Sequence, residues 1–209
     1  MAIKPILFNT KMVRAILNGR KSCTRRLIKP QPDEKHTYPL GFVNDSTERK
    51  NIGSFGFGTS ELGGSIQYVK PPYQPGDILY VRETWCLRFD GEKYFYKADK
   101  NTSREEKHLL DYDDVRWHPS IHMPKEAARI WLKVTDVRAE RLQGITEVQA
   151  QAEGCDSGLL TGACTARGQF EDLWNSTIKK SNLDRYGWDA SPWVWVIEFE
   201  RCEKPEGEN

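Results

Sequence analysis

Lys21, Thr24 and Arg26 follow Gly19 in the run Gly19-Arg20-Lys21-Ser22-Cys23-Thr24-Arg25-Arg26, which reads G-x-K-x-x-T-x-R. An amine near a hydroxyl is the pairing a nucleophile needs, because a threonine hydroxyl attacks poorly until a base takes its proton. A buried lysine loses proton affinity and can serve as that base near neutral pH. Arg26 adds a planar donor fork suited to a phosphate or a base edge. Cys23 lies inside the run but at none of its defining positions, and reads as a small filler. Taken alone, Lys21 is a solvated lysine and Thr24 a β-branched strand residue. The surrounding sequence has to decide.

A helix over about 10–19 leads into the run. Asn9 or Thr10 can cap it, and Met12, Val13, Ile16 and Leu17 draw one apolar stripe. Asn18-Gly19 ends it, because glycine enters the left-handed region without penalty. In a straight strand Lys21 and Thr24 would point to opposite faces, so a turn is needed to bring them together. Further on, residues 78–85 read as a strand, with 93–97 as its hairpin partner across Asp90-Gly91. Ile130, Leu132 and Val134 alternate with Trp131, Lys133 and Thr135, as in a half-buried strand. Thr146 and Gln149 form a capping box for a helix over 147–153. Phe170, Leu173, Trp174 and Ile178 have helical spacing within 169–178. Trp193, Trp195, Ile197 and Phe199 share one face of a strand, with the tryptophans in the core.

Four segments together resemble the ASCH domain of the PUA-like superfamily. They are the octamer after its helix, the turn Gln74-Pro75-Gly76-Asp77 into Ile78-Leu79-Tyr80-Val81, the helix Ile145-Thr146-Glu147 through Glu153-Gly154, and the strand Trp195-Val196-Ile197-Glu198-Phe199. With the sequence between them they cover roughly half the chain. The longer form, with Trp117 through Pro124, is similar to uncharacterised ASCH proteins of phages and prophages. The resemblance implies an α+β fold: a PUA-like small mixed β-barrel of about five to seven strands with short flanking helices. One domain would then span residues 1–209, with long insertions at about 31–73 and 99–125, the second holding a short helix near Glu105–Leu109.

The resemblance also assigns roles. In the N4-acetylcytidine amidohydrolases of this family the catalytic set is a Lys, a Thr and a Glu. The first two match Lys21 and Thr24. The third closes an A-x-x-E helix and matches Glu153, which on its own would read as a solvated residue at a frayed helix end. Thr24 would attack the acyl carbon, Lys21 would activate it, and Glu153 would orient the site or protonate the leaving amine. Arg26 would bind substrate. Glu83 and Trp85 could read and stack a base, beside the plainer reading of a core tryptophan and a surface glutamate. Trp117, Ser120 and His122 could touch a ligand from a loop. His118 and His122 are four apart, but Pro119 and Pro124 break any shared helix face, so no metal is expected. No cofactor is expected either.

Composition narrows the class. Net charge is +1, so no global basic field drives nucleic-acid binding. Arg14, Arg20, Arg25, Arg26 and Lys29 could still make a local stripe. The five cysteines (23, 86, 155, 164 and 202) show no CxxC and read as reduced thiols in a cytoplasmic protein. No apolar run approaches a membrane span. The expected function is metal-independent hydrolysis of an N-acyl group from a modified nucleoside such as N4-acetylcytidine. The alternatives are a noncatalytic module that binds RNA or a modified base, and a ribonuclease.

Overall fold

The computed structural model describes residues 1–87, 93–99, 116–156 and 165–207. The Asp90-Gly91 turn, the Glu105–Leu109 helix and Cys164 of the sequence reading lie outside the described residues. The fold is mixed α+β, mostly sheet with a few short helices. Five strands are hydrogen-bonded in the order β1 (Ile3–Leu7), β6 (Ile78–Arg82), β9 (Trp131–Arg141), β10 (Trp193–Cys202), β2 (Cys23–Leu27). A second sheet holds β3 (Tyr38–Phe42), β4 (Phe55–Ser60) and β5 (Gly63–Val69). A third pairs β7 (Trp85–Leu87) with β8 (Tyr94–Tyr96). The expected closed barrel is therefore corrected. The described strands divide among three sheets, and β1 and β2 end the largest one unjoined.

The chain separates into two compact units. The first comprises Met1–Lys21, Gly76–Lys133 and Glu200–Asn209. Here β1 runs parallel to β6, Ile3 opposite Ile78 and Leu7 opposite Arg82. The Gly76-Asp77 turn sets this pairing. Gly76 takes φ +88°, which glycine alone adopts freely. Buried Asp77 then accepts from the Ala2 amide at 3.0 Å and from Lys4 Nζ at 2.7 Å. Helix α1 (Thr10–Leu17) is capped by Asn9, whose Oδ1 accepts from the Met12 amide at 2.9 Å. Past Gly19, at φ +70°, the Arg20 and Lys21 amides both donate to the Ala15 carbonyl. One core cluster of this unit is Ile78, Met123, Ala127, Ala128 and Trp131, with Tyr80, Trp85 and Tyr96 against it.

The strand expected over 78–85 is divided. β6 stops at Arg82, and β7 begins at Trp85 and pairs with β8, Trp85 opposite Tyr96. Between them Glu83 leaves the ladder and turns its carboxylate onto Arg129, while the Thr84 carbonyl accepts from the Lys97 amide.

The second unit comprises Ser22–Pro75 and Val134–Phe199. β2 pairs antiparallel with β10: Leu27 opposite Val194, Arg26 opposite Trp195, Arg25 opposite Val196, Thr24 opposite Ile197, Cys23 opposite Glu198. Alternation gives this pair two faces. Val194 and Val196 pack with Phe170 and Trp174 of α3 (Ala166–Thr177) and Ala150 of α2 (Glu147–Ala152). On the other face the three-stranded sheet docks, Phe55 edge-on to Trp195 at 5.6 Å and Phe57 to Trp193 at 5.1 Å. Both halves of the Thr146/Gln149 capping box are formed. Helix α3 begins at Ala166, before the expected 169. Thr165 caps it, and the Glu147 carboxylate accepts from the Ala166 and Arg167 amides at 2.6 and 3.1 Å.

Candidate functional site

Lys21, the last residue of the first unit, is 4% exposed, with Nζ 5.5 Å from the centroid of the Phe8 ring. Thr24 and Glu153 belong to the second unit and are 2% and 3% exposed. Thr24 stands on β2, on the face beside Ile197. Glu153 is the C-cap of α2, and the neighbouring Ala152 carbonyl accepts from the Ser22 amide at 2.9 Å, which ties the helix end to the start of β2.

Glu153 is held by a residue the sequence reading placed elsewhere. Arg25 Nη1 donates to Glu153 Oε1 at 3.3 Å. Arg25 Nη2 reaches Glu140 Oε2 at 3.3 Å and Gln149 Oε1 at 3.2 Å. The guanidinium carbon lies 5.8 Å from the Phe170 ring centroid. Arg25 is buried and shared between two carboxylates, so it is withdrawn from the expected basic stripe. Arg14 is engaged too, donating to the Ala98 and Lys97 carbonyls. The signal for Arg25 was its alternation with Cys23 and Leu27. All three point to the helix-covered face, where an unpaired charge would be costly.

Arg26 shares the Thr24 face and is half-buried. Burial pushes its guanidinium below the ordinary value, while Tyr73 and Glu153 pull it back up. Burial pushes the Tyr73 phenol up, and Arg26 opposes that shift.

The remaining candidates lie in the first unit. Glu83 is 1% exposed and accepts both Arg129 Nε (3.0 Å) and Nη2 (3.1 Å). Burial holds its carboxyl above the ordinary range, although Arg129 pulls it down. Arg129 also pairs with Asp99 at 2.7 Å and lies 3.9 Å over the Tyr96 ring. Trp85 is half-buried and stacks on His118, with ring centroids 4.9 Å apart. Its buried Nε1 has no hydrogen-bond partner among the described residues. The plainer sequence reading is thus inverted: the glutamate is interior and the tryptophan partly open. The cause is Arg129, which gives the carboxylate a bidentate partner inside. Trp117 and Ser120 are half-buried and His122 is exposed, around a 3-10 turn at Ser120–His122. Among the described residues, no cluster of three or more His, Cys, Asp or Glu is arranged to hold a metal ion, and no helix is long and apolar enough to cross a membrane.

Comparison with known proteins gives two structural likenesses. The chain is similar to an ASCH domain structure. That high-resolution crystal structure, from Lactobacillus crispatus JV V101, shares 11% identity over 96% of this chain and 79% of its own, with a TM-score of 0.44. The crystal structure of hypothetical protein PH0355 shares 12% identity over 97% of this chain and all of its own, with a TM-score of 0.37. No family model matches the chain, and no curated protein matches it.

Proposed function

We propose that this chain is a metal-independent hydrolase that removes an N-acyl group from a modified nucleoside such as N4-acetylcytidine. The motif resemblance marks Lys21, Thr24 and Glu153, and the observation that carries the reading is that all three polar residues are buried. Burial sets each of the three apart from an ordinary solvated surface residue. Of the five cations in the expected stripe, Arg14 and Arg25 are engaged and Arg26 is half-buried, which leaves Arg20 and Lys29 exposed for any polymer.

In this reading Thr24 Oγ attacks the acyl carbon while its proton passes to Lys21 Nζ. The bond from that carbon to N4 breaks, and a proton returns to N4 as the cytidine leaves. Water then attacks the Thr24 ester, releasing the carboxylic acid and restoring the hydroxyl. A carboxylate bound to a guanidinium is an acceptor, so the Arg25 contact favours the orienting role for Glu153 over proton donation.

The test is incubation with a panel of N4-acylated cytidines. Wild-type protein should release cytidine and free acid, and Lys21→Ala should release neither. If wild-type protein leaves the whole panel intact but binds RNA, and Arg26→Ala and added salt weaken that binding, a noncatalytic RNA-binding module replaces the hydrolase.

A further inference from the structure

Asp33, His36 and Ser65 lie in the second unit, and their side chains form one continuous hydrogen-bonded line. His36 Nδ1 meets Asp33 Oδ1 at 2.7 Å, and His36 Nε2 meets Ser65 Oγ at 3.3 Å. The local sequence builds the first link. Asp33 Oδ1 also accepts from the Lys35 and His36 amides at 2.9 and 3.0 Å, a turn that sets the imidazole beside the carboxylate. Gln31 anchors the start of this loop, donating to the Ile28 and Trp193 carbonyls at 2.7 and 2.8 Å. The second link comes from β5. The Asp33 amide donates to Gln67 Oε1 at 3.0 Å, and Ser65, two residues before Gln67, stands on the same side of that strand. Gly63 and Gly64, at φ +103° and +63°, turn the chain into β5, and a Cβ at Gly64 would collide with Thr59 Oγ1. That oxygen accepts from the Ser65 amide at 3.2 Å, which fixes the serine backbone. The His36 side chain is 14% exposed, whereas Ser65 is exposed. The imidazole is thus shielded and the hydroxyl can be reached.

We propose that Ser65, His36 and Asp33 form a second nucleophilic site, which hydrolyses small carboxylic esters. It uses none of Lys21, Thr24 and Glu153, so it stands or falls apart from the function proposed above. A serine–imidazole–carboxylate line is recognised by geometry and roles, not by chain position. With Nδ1–H donated to Asp33, the Nε2 lone pair faces the Ser65 hydroxyl and can take its proton. Ser65 Oγ bonds to the ester carbonyl carbon as that proton passes to Nε2. The bond from this carbon to the leaving oxygen breaks, and Nε2 gives the proton to that oxygen. Water then attacks the acyl carbon, and one of its protons passes through Nε2 to Ser65 Oγ as the carboxylic acid departs. Ser65 and His36 are the catalytic residues. Asp33 is the positioning residue, which holds the tautomer and faces the imidazolium while it exists. An exposed serine gains little from water-excluded electrostatics. It therefore suits an ester, whose oxygen leaves more readily than the nitrogen of an amide.

The experiment treats the full chain with p-nitrophenyl acetate, follows the burst of p-nitrophenolate and maps the acid-quenched acetyl adduct by mass spectrometry. Melting curves accompany every variant. Wild-type protein should carry the adduct on Ser65, and Ser65→Ala should lose the burst. His36→Gln should be acylated about a hundredfold more slowly, the lower end of what a positioned base contributes. Asp33→Asn keeps an oxygen for the two loop amides and loses the charge. Its acylation should slow with little change in melting temperature, and the loss should fall on kcat with KM held, which a merely displaced loop would not give. No adduct, or an adduct only at other residues, Thr24 included, overturns the proposal. So does a Ser65 adduct that forms as fast in His36→Gln or in Asp33→Asn as in wild-type protein. The mapped position separates this site from the Thr24 reading, so the failure of either leaves the other to its own test.

Discussion

Arg25 Nη1 and Glu153 Oε1 lie 3.3 Å apart, both side chains essentially inaccessible to solvent. The pair ties strand β2 to the C-terminal end of helix α2. Removing Arg25 takes from two carboxylates, Glu153 and Glu140, the guanidinium they share. Arg25→Ala should therefore cost about 3–5 kcal/mol in denaturant unfolding. The double variant Arg25→Met with Glu153→Gln should cost less than the sum of the single variants, since neither charge is then stranded. Strict additivity in that cycle would mean the pair contributes no coupling.

Gln149 serves two partners with one oxygen. Its Oε1 accepts from the Thr146 amide at 2.9 Å and from Arg25 Nη2 at 3.2 Å. Thr146→Ala should cost about 1 kcal/mol, as the loss of an N-cap does. Gln149→Ala should cost more, because it deprives both the helix start and the buried guanidinium. Equal costs in urea titrations would reduce Gln149 to a cap alone.

Glu83 predicts a pH dependence. Burial raises its folded-state value above the ordinary 4.5, so the folded chain holds this proton more tightly than the unfolded chain. The stability from this group is complete below that ordinary value and is lost as pH rises through the raised one. Relative to Glu83→Gln, which cannot ionise, wild-type protein should lose stability across that interval. Unfolding free energies of both proteins, measured at a series of pH values, give the sign. A difference that grows with pH would mean that the Arg129 bonds outweigh burial.

If Thr24 and Lys21 act as one unit, their losses should not add. Lys21→Ala, Thr24→Ala and the double variant should show the same residual rate on an acylated cytidine. Thr24→Ser keeps the hydroxyl and should retain part of the activity. Rate losses that multiply in the double variant would show two independent contributions.

Local signals in the sequence were readable because their physics is local. The Asn9 cap, the Thr146/Gln149 box and the Gly76-Asp77 turn each depend on a few neighbouring residues, and all are present. The inward alternation of Trp193 and Trp195 likewise needs only a period of two. What could not be read was the choice of partner. Glu83 has the pattern of a surface residue until Arg129, 46 positions away, is brought against it. Arg25 looked like one cation among several, because Glu140 and Glu153 carry no mark that they close on it. Helix α3 starts early because a carboxylate from another helix caps it. The segment 31–73 stood in the sequence only as a long insertion. It holds a three-stranded sheet whose β4 alternates Phe55 and Phe57 with Gly56 and Gly58. The roles of Lys21, Thr24 and Glu153 came from the motif resemblance, not from alternation or spacing.

The pairing of Thr24 with Ile197 joins positions 173 residues apart in sequence. Closing so large a loop costs entropy before any contact rewards it, which slows folding. During synthesis β2 emerges early and must wait for β10. Until then both edges of the strand that carries Thr24 are open, able to pair with any other extended segment. The residue proposed to do the chemistry thus acquires its final surroundings among the last events of folding.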